Sequence, residues 1–152
     1  MKKQSTPLWV IGNKITLIST EADFDMALAT TPACTPGPPP HYHQNESELF
    51  VVLSGQMQVM IGGEWSAFSA GQSIVVPKGI IHTFANETDQ DVQWVTTWSP
   101  KGFAQFFREF GLDATQQGAF QQSVSPQVIQ SVIENCHKHG MILQPVAARE
   151  GV

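Results

Sequence analysis

Between residues 48 and 98, apolar and β-branched side chains come in short runs separated by Gly, Pro and Ser, the pattern of successive strands joined by tight turns. Glu48 to Leu53 is rich in strand formers and stops at Ser54-Gly55, and Gln56 to Ile61 then largely alternates polar with apolar residues. Gly62-Gly63 supplies two positions that tolerate positive φ, as a hairpin needs, and Glu64 to Phe68 makes the return strand. After Ala70-Gly71, the short apolar run Ser73 to Val76 reads as a buried strand. Pro77-Lys78-Gly79 fits a type I turn with Pro second and Gly fourth, and Ile81 to Ala85 and Val92 to Trp98 complete the series. Upstream, Trp9 to Ile18 and Phe24 to Thr30 are weaker strand candidates. Thr31 to Pro40 holds too many prolines for a sheet interior, so it reads as a stiff, extended lead into His41.

Past Trp98 the apolar period lengthens to that of a helix. Ser99-Pro100 offers an N-cap and first helical residue, Phe103, Phe106, Phe107 and Phe110 form a stripe, and Gly111 ends it. The Gln-rich residues 112 to 124 read as a loop. Ser125-Pro126 repeats the start signal for a second helix, with Val128, Ile129, Val132, Ile133 and Cys136 on one face and Gly140 past its end. Met141 to Val146 reads as a last extended segment. The pattern predicts an all-β sandwich or barrel over residues 1–98, with helices over 99–152 packing on it within one domain.

With 152 residues the chain fits one domain with its own core. Hydrophobic residues make up 41% and charged residues 14%, which is too apolar for disorder. Net charge is −5 and no run of Lys or Arg occurs, so the basic stripe of a nucleic-acid binder and the contact expected with an anionic membrane are both missing. Lys2 and Lys3 are followed by no apolar signal core, and no stretch approaches the roughly 18 apolar residues of a membrane span; the expected location is cytoplasmic. Cys34 and Cys136 match no paired motif and are expected to be reduced and structural.

The chemistry gathers on a few residues. In a strand, His41 and His43 point to one face, and Glu48 lies just beyond a short polar loop, at the head of the next strand. His82 follows the Pro-Gly turn, which sets its register. Three imidazoles and a carboxylate suit a borderline divalent metal and leave coordination positions open.

The same residues carry a family resemblance. His41-x-His43, four residues, Glu48, six residues and Gly55 resemble the first cupin motif, with Thr35 in place of its leading Gly and Gly37 two residues on. Gly71, Pro77, Gly79, His82 and Asn86 match the second motif at every fixed position. The resemblance implies a double-stranded β-helix (jelly-roll) cupin barrel with a C-terminal helical extension. It implies one divalent ion (Fe, Mn, Ni, Co, Cu or Zn) held by His41, His43, Glu48 and His82. The whole chain is most similar to small single-domain cupins akin to quercetin 2,3-dioxygenase, which implies a dioxygenase of a small aromatic or enol-type substrate with Glu48 doubling as proton acceptor. A homodimer, built through strands near the N-terminus, is implied by the same resemblance.

Other residues admit two readings. Phe50 and Phe84 lie at even spacing from Glu48 and His82, so they line a pocket or fill the barrel. Trp98 and Phe106 are further pocket candidates, although an aromatic stripe at helical spacing ordinarily just packs. Glu46, among Gln44, Asn45 and Ser47, reads as a solvated loop residue, and Asn86 as structural. His137 and His139, two apart on a helix, do not share a face. Two further function classes remain open beside the dioxygenase: a non-oxidative isomerase or decarboxylase using the metal as Lewis acid, and a binding or sensing domain.

Overall fold

The computed structural model describes residues 5–145. In chain order the elements are β1 (Leu8–Val10), β2 (Asn13–Ile18), β3 (Asp25–Thr31), β4 (Thr35–Pro36), β5 (His41–His43), β6 (Ser47–Ser54), β7 (Gln56–Ile61), β8 (Glu64–Ser69), β9 (Ser73–Val76), β10 (His82–Asn86), β11 (Val92–Ser99), α1 (Ala104–Phe110), β12 (Leu112–Asp113), α2 (Ala119–Ser123), α3 (Pro126–Asn135), a 3-10 turn (Cys136–His139) and β13 (Met141–Leu143). Two antiparallel sheets face each other, ordered β12-β1-β2-β3-β11-β6-β9 and β13-β5-β10-β7-β8, with β4 also pairing β10. This is a jelly-roll barrel, and its filling follows from the two-residue period of a strand. On β11, Val92, Trp94, Thr96 and Trp98 point inward, and on β6 Glu48, Phe50 and Val52 do the same. Among the described residues no helix is long and apolar enough to cross a membrane.

The meander of residues 47–99 forms with nearly the expected boundaries, but several local expectations are corrected. Trp9 to Ile18 is two strands, because Ile11 (φ 40°) and Gly12 (φ 81°) make a hairpin turn that pairs Val10 with Asn13. Ser73–Val76 is an edge strand paired only to β6, with Val76 inward and Val75 on the outer face, so Val75 is 60% exposed instead of buried. In the turn before His82, the Ile80 N–H donates to the Pro77 carbonyl at 3.2 Å, which puts Gly79 third, where its φ of 82° is needed.

The helical region differs more. Ser99 stays in β11 opposite Ser47 and caps nothing. Helix α1 starts at Ala104, where the Asp25 carboxylate of β3 accepts from the Gly102 and Ala104 N–H groups at 2.7 and 3.0 Å. Residues 112–124 are not simply a loop: Leu112–Asp113 pairs with β1, and α2 packs Phe120 edge-on against Trp9. Ser125 does cap α3, accepting from the Val128 N–H, but Ile133 turns outward. Val146 lies outside the described residues.

Two devices hold the Pro-rich segment where it delivers His41. Thr35 and Pro36 pair with Asn86 and Ala85 of β10. The buried Asn86 amide donates to the carbonyls of Thr31, Pro32 and Gln90 while its oxygen accepts from the Thr88 N–H and hydroxyl, so one side chain ties both ends of the segment's surroundings together.

Candidate metal centre

His41 on β5 and His82 on β10 are direct cross-strand partners, and His43 lies two residues along the same face. Cross-strand and next-but-one positions are the two places from which strand side chains meet. The three imidazoles accordingly cluster, with ring centroids 4.5 to 5.3 Å apart and exposures of 5, 3 and 1% for His41, His43 and His82. Their ligand atoms all lie within 4.8 Å of one another, and this cluster could hold a metal ion. Glu48 reaches the cluster from β6, in the opposite sheet. Its Oε2 accepts from Nε2 of His43 and Nε2 of His82, each at 3.0 Å, and its Oε1 accepts from the Thr96 hydroxyl at 2.9 Å.

The outer ring nitrogens fix two of the rings. Nδ1 of His41 donates to the Pro39 carbonyl at 2.8 Å and Nδ1 of His82 donates to the Ile80 carbonyl at 2.9 Å. A carbonyl can only accept, so both Nδ1 atoms carry protons and Nε2 is the nitrogen turned inward, toward the cluster. The charges follow from burial and neighbours. Burial, with the charges of His82 and His43, lowers His41 to about 3, so it is neutral. Burial alone would raise Glu48, but the hydrogen bonds from His43 and His82 outweigh it and hold the carboxyl well below its ordinary range. Burial opposes charge on His82, yet the hydrogen bond and charge of Glu48 raise it.

These directions set a pH profile for the metal-free protein. His41 has a folded value below its unfolded 6.5, so the unfolded chain binds more protons between about 3 and 6.5 and stability falls as pH drops through that window. Glu48 adds a loss only below the ordinary carboxylate range. His82 is raised, so its stabilisation is complete below 6.5 and disappears as pH climbs through its folded value. Thermal melts of metal-free protein from pH 4.5 to 8.5 should therefore show a maximum near pH 6.5. A steady rise in Tm across that range would refute this charge assignment.

Glu46 is a correction. It is only 5% exposed, not solvated, and its Oε2 lies 3.9 Å from Nδ1 of His43. Burial raises its pKa; His43 works against that, and the nearby Asp25 and Glu48 charges add to it. No local signal marks it, because its cover arrives from the turn at Gly102, far along the chain. His137 and His139 stay away from the cluster, and His139 instead pairs with Glu109.

A cavity of about 50 Å³ opens beside the imidazoles, walled by Phe50, Phe84, Trp98, Phe103 and Phe106. Phe103 packs edge-on against His43 with centroids 4.4 Å apart and stacks on Phe106. Phe103 was legible only as one member of an aromatic stripe; its contact with His43 depends on where α1 docks. Trp98 is buried, and its indole N–H has no acceptor.

Residues 28–98, which include all four of these histidine and carboxylate positions, match the cupin domain model. The chain carries a cupin domain. Among curated proteins, the polyketide synthase CurC of Streptomyces cyaneus is 32% identical over 60 residues, covering 40% of this chain and 39% of that protein. The chain spans about two-fifths of the length of the curated relatives it matches. Among solved structures, an RmlC-like cupin from Shewanella frigidimarina superposes with a TM-score of 0.55 at 21% identity, covering 64% of this chain and 94% of that one. A cupin-superfamily sugar phosphate isomerase from Silicibacter pomeroyi also gives 0.55, at 18% identity, over 60% of this chain and 61% of its own. At these identities the cupin neighbours share the barrel with this chain and nothing finer.

Proposed function

We propose that this cupin is a metal-dependent dioxygenase of a small aromatic or enol-type molecule, with one divalent ion (Fe, Mn, Ni, Co, Cu or Zn) held by His41, His43, Glu48 and His82. The observation behind this is the convergence of three imidazoles and an anionic carboxylate beside an aromatic-walled cavity. The donor set fits an ion: the carbonyl-held Nδ1 atoms of His41 and His82 turn Nε2 inward, and Glu48 stays ionised. Bound there, the ion would act as a Lewis acid toward a substrate oxygen.

The protein's own groups do the rest. The Thr96 hydroxyl holds Oε1 of Glu48, so Oε2 is the oxygen that would face the ion and, on shifting off it, accept the proton of an enol hydroxyl. Phe50, Phe84 and Phe106 supply apolar walls that exclude water. A water needs about 10–15 Å³ by the same measure, so the cavity suits a substrate of few atoms. The unpartnered Trp98 N–H would donate to a second substrate oxygen. Trp98→Phe is therefore expected to raise KM by roughly 2- to 12-fold, the value of one hydrogen bond, with kcat changed much less. An unchanged KM would remove Trp98 from substrate binding.

The deciding experiment is oxygen uptake by protein reconstituted with each ion in turn, against small enols and single-ring phenols. Uptake that depends on ion and substrate supports the proposal, and no uptake in any combination rejects it. Turnover without oxygen would point to a Lewis-acid isomerase or decarboxylase, for which Glu48 as proton acceptor would serve equally.

The proposal includes a homodimer. The outer face of the first sheet carries Ile18, Met26, Thr97, Leu49 and Val75 in one register row across five strands, with no charge in it. The outer face of a one-sided sheet is ordinarily polar, and a second copy would cover this one. Sedimentation should report twice the 16.7 kDa chain mass, and Met26→Glu with Leu49→Glu should yield monomer. A monomeric wild type at tens of micromolar would end this part of the proposal.

A further inference from the structure

We propose that Glu46 is a positioning residue of the metal centre, accepting the Nδ1–H of His43 and so holding that ring with Nε2 toward the ion. This rests on the metal-site reading above. The three imidazoles are not held alike. The outer nitrogens of His41 and His82 each have a backbone carbonyl from the residue two positions earlier. Nδ1 of His43 has no hydrogen-bond partner, although it is buried. Oε2 of Glu46 is also buried without one, and the two atoms lie 3.9 Å apart. They are two of the three buried side-chain polar atoms left unpaired among the described residues.

Buried polar atoms are almost always paired, so two orphans facing each other point to a bond that forms in another state of the site. That state is the loaded one. Without an ion, Nε2–H of His43 donates to Glu48. An ion takes the Nε2 lone pair, which leaves the ring's single proton on Nδ1, where it needs an acceptor. An approach of about 1 Å brings the pair to ordinary hydrogen-bond length. Glu46 is placed to stay there. Gly102 sits over it, near enough that a Cβ would come within 3.9 Å of its Oε1, and Phe103 packs on the His43 ring itself. The Asp25 carboxylate pins that turn through the Gly102 and Ala104 N–H groups.

The test is titration of metal-free wild type, Glu46→Ala and Glu46→Gln with Co²⁺, reading Kd and the visible ligand-field spectrum, with the metal-free Tm of each as the control for folding. Loss of an outer partner costs about 10- to 100-fold in affinity. Glu46→Ala should bind Co²⁺ weaker by that factor, with shifted bands. Glu46→Gln, whose amide oxygen still accepts, should stay within about threefold of wild type. Wild-type Kd and spectrum in Glu46→Ala would overturn the assignment, and so would equal losses in both variants. Wild type that binds no Co²⁺ would instead overturn the metal site itself. Should Glu46→Ala not fold, proton–nitrogen NMR of Zn²⁺-loaded wild type decides: a slowly exchanging His43 Nδ1–H supports the bond, and a rapidly exchanging one refutes it.

Discussion

His82→Ala protein is expected to bind divalent ions more than about 100-fold more weakly than wild type, since even outer partners of a metal ligand are worth 10- to 100-fold. His82 is 1% exposed and is the cross-strand partner of His41, so no neighbouring side chain can replace it. The substitution also removes one of the three hydrogen bonds to the buried Glu48 carboxylate. Breaking a buried, charged pair from one side costs about 3–5 kcal/mol, so the metal-free variant should also melt well below wild type. Elemental analysis after dialysis and the Tm rise on adding metal read the two effects separately. If the variant retained one ion per chain, or if wild type showed no Tm rise at saturating metal, His82 would not be a ligand.

Gly37→Ala is expected to cost about 3 kcal/mol or more and to weaken metal binding with it. A Cβ on residue 37 would lie 1.6 Å from the Phe84 carbonyl oxygen and 2.7 Å from its carbon. Both atoms are backbone, so no rotamer change relieves the clash, and the Pro-rich segment must lift off β10. That segment is held there by the Thr35–Pro36 pairing and by the Thr83 hydroxyl donating to the Pro38 carbonyl. Its Pro39 carbonyl orients His41. Chemical denaturation and metal titration of the variant should therefore shift together. A stability change under about 1 kcal/mol would show that the segment is free to move and does not position the site. The structure also accounts for the departure from the first cupin motif: the close approach to β10 occurs at Gly37, and Thr35 pairs with Asn86.

Where the signal was local, the sequence was readable. The strands of residues 47–99 show because a two-residue period and turn residues act within a few positions of each other. His41 and His43 share a face by that same period, and His82 follows a turn whose glycine needs positive φ. Expectations failed where a distant segment decides the outcome. Glu46 looks like a loop residue until the turn at Gly102 arrives beside it. Helix α1 starts at Ala104, not Pro100, because its cap is a carboxylate from β3. Val75 is exposed because it points to the outer face of an edge strand, where nothing among the described residues packs on it, while its neighbour Val76 points inward.

By itself, then, the order of residues determines the β architecture, the inward set His41, His43, Glu48 and His82, and the helical character of the C-terminal third. Each of these depends on periodicity and turn chemistry within about ten residues. Only the tertiary structure decides that Glu48 crosses from one sheet to meet histidines on the other. Only it turns the Phe103–Phe106 stripe into a cavity wall and leaves Nδ1 of His43, Oε2 of Glu46 and the Trp98 N–H unpaired in the interior. Burial and pairing depend on which distant segments arrive over a side chain, and local pattern carries no record of that.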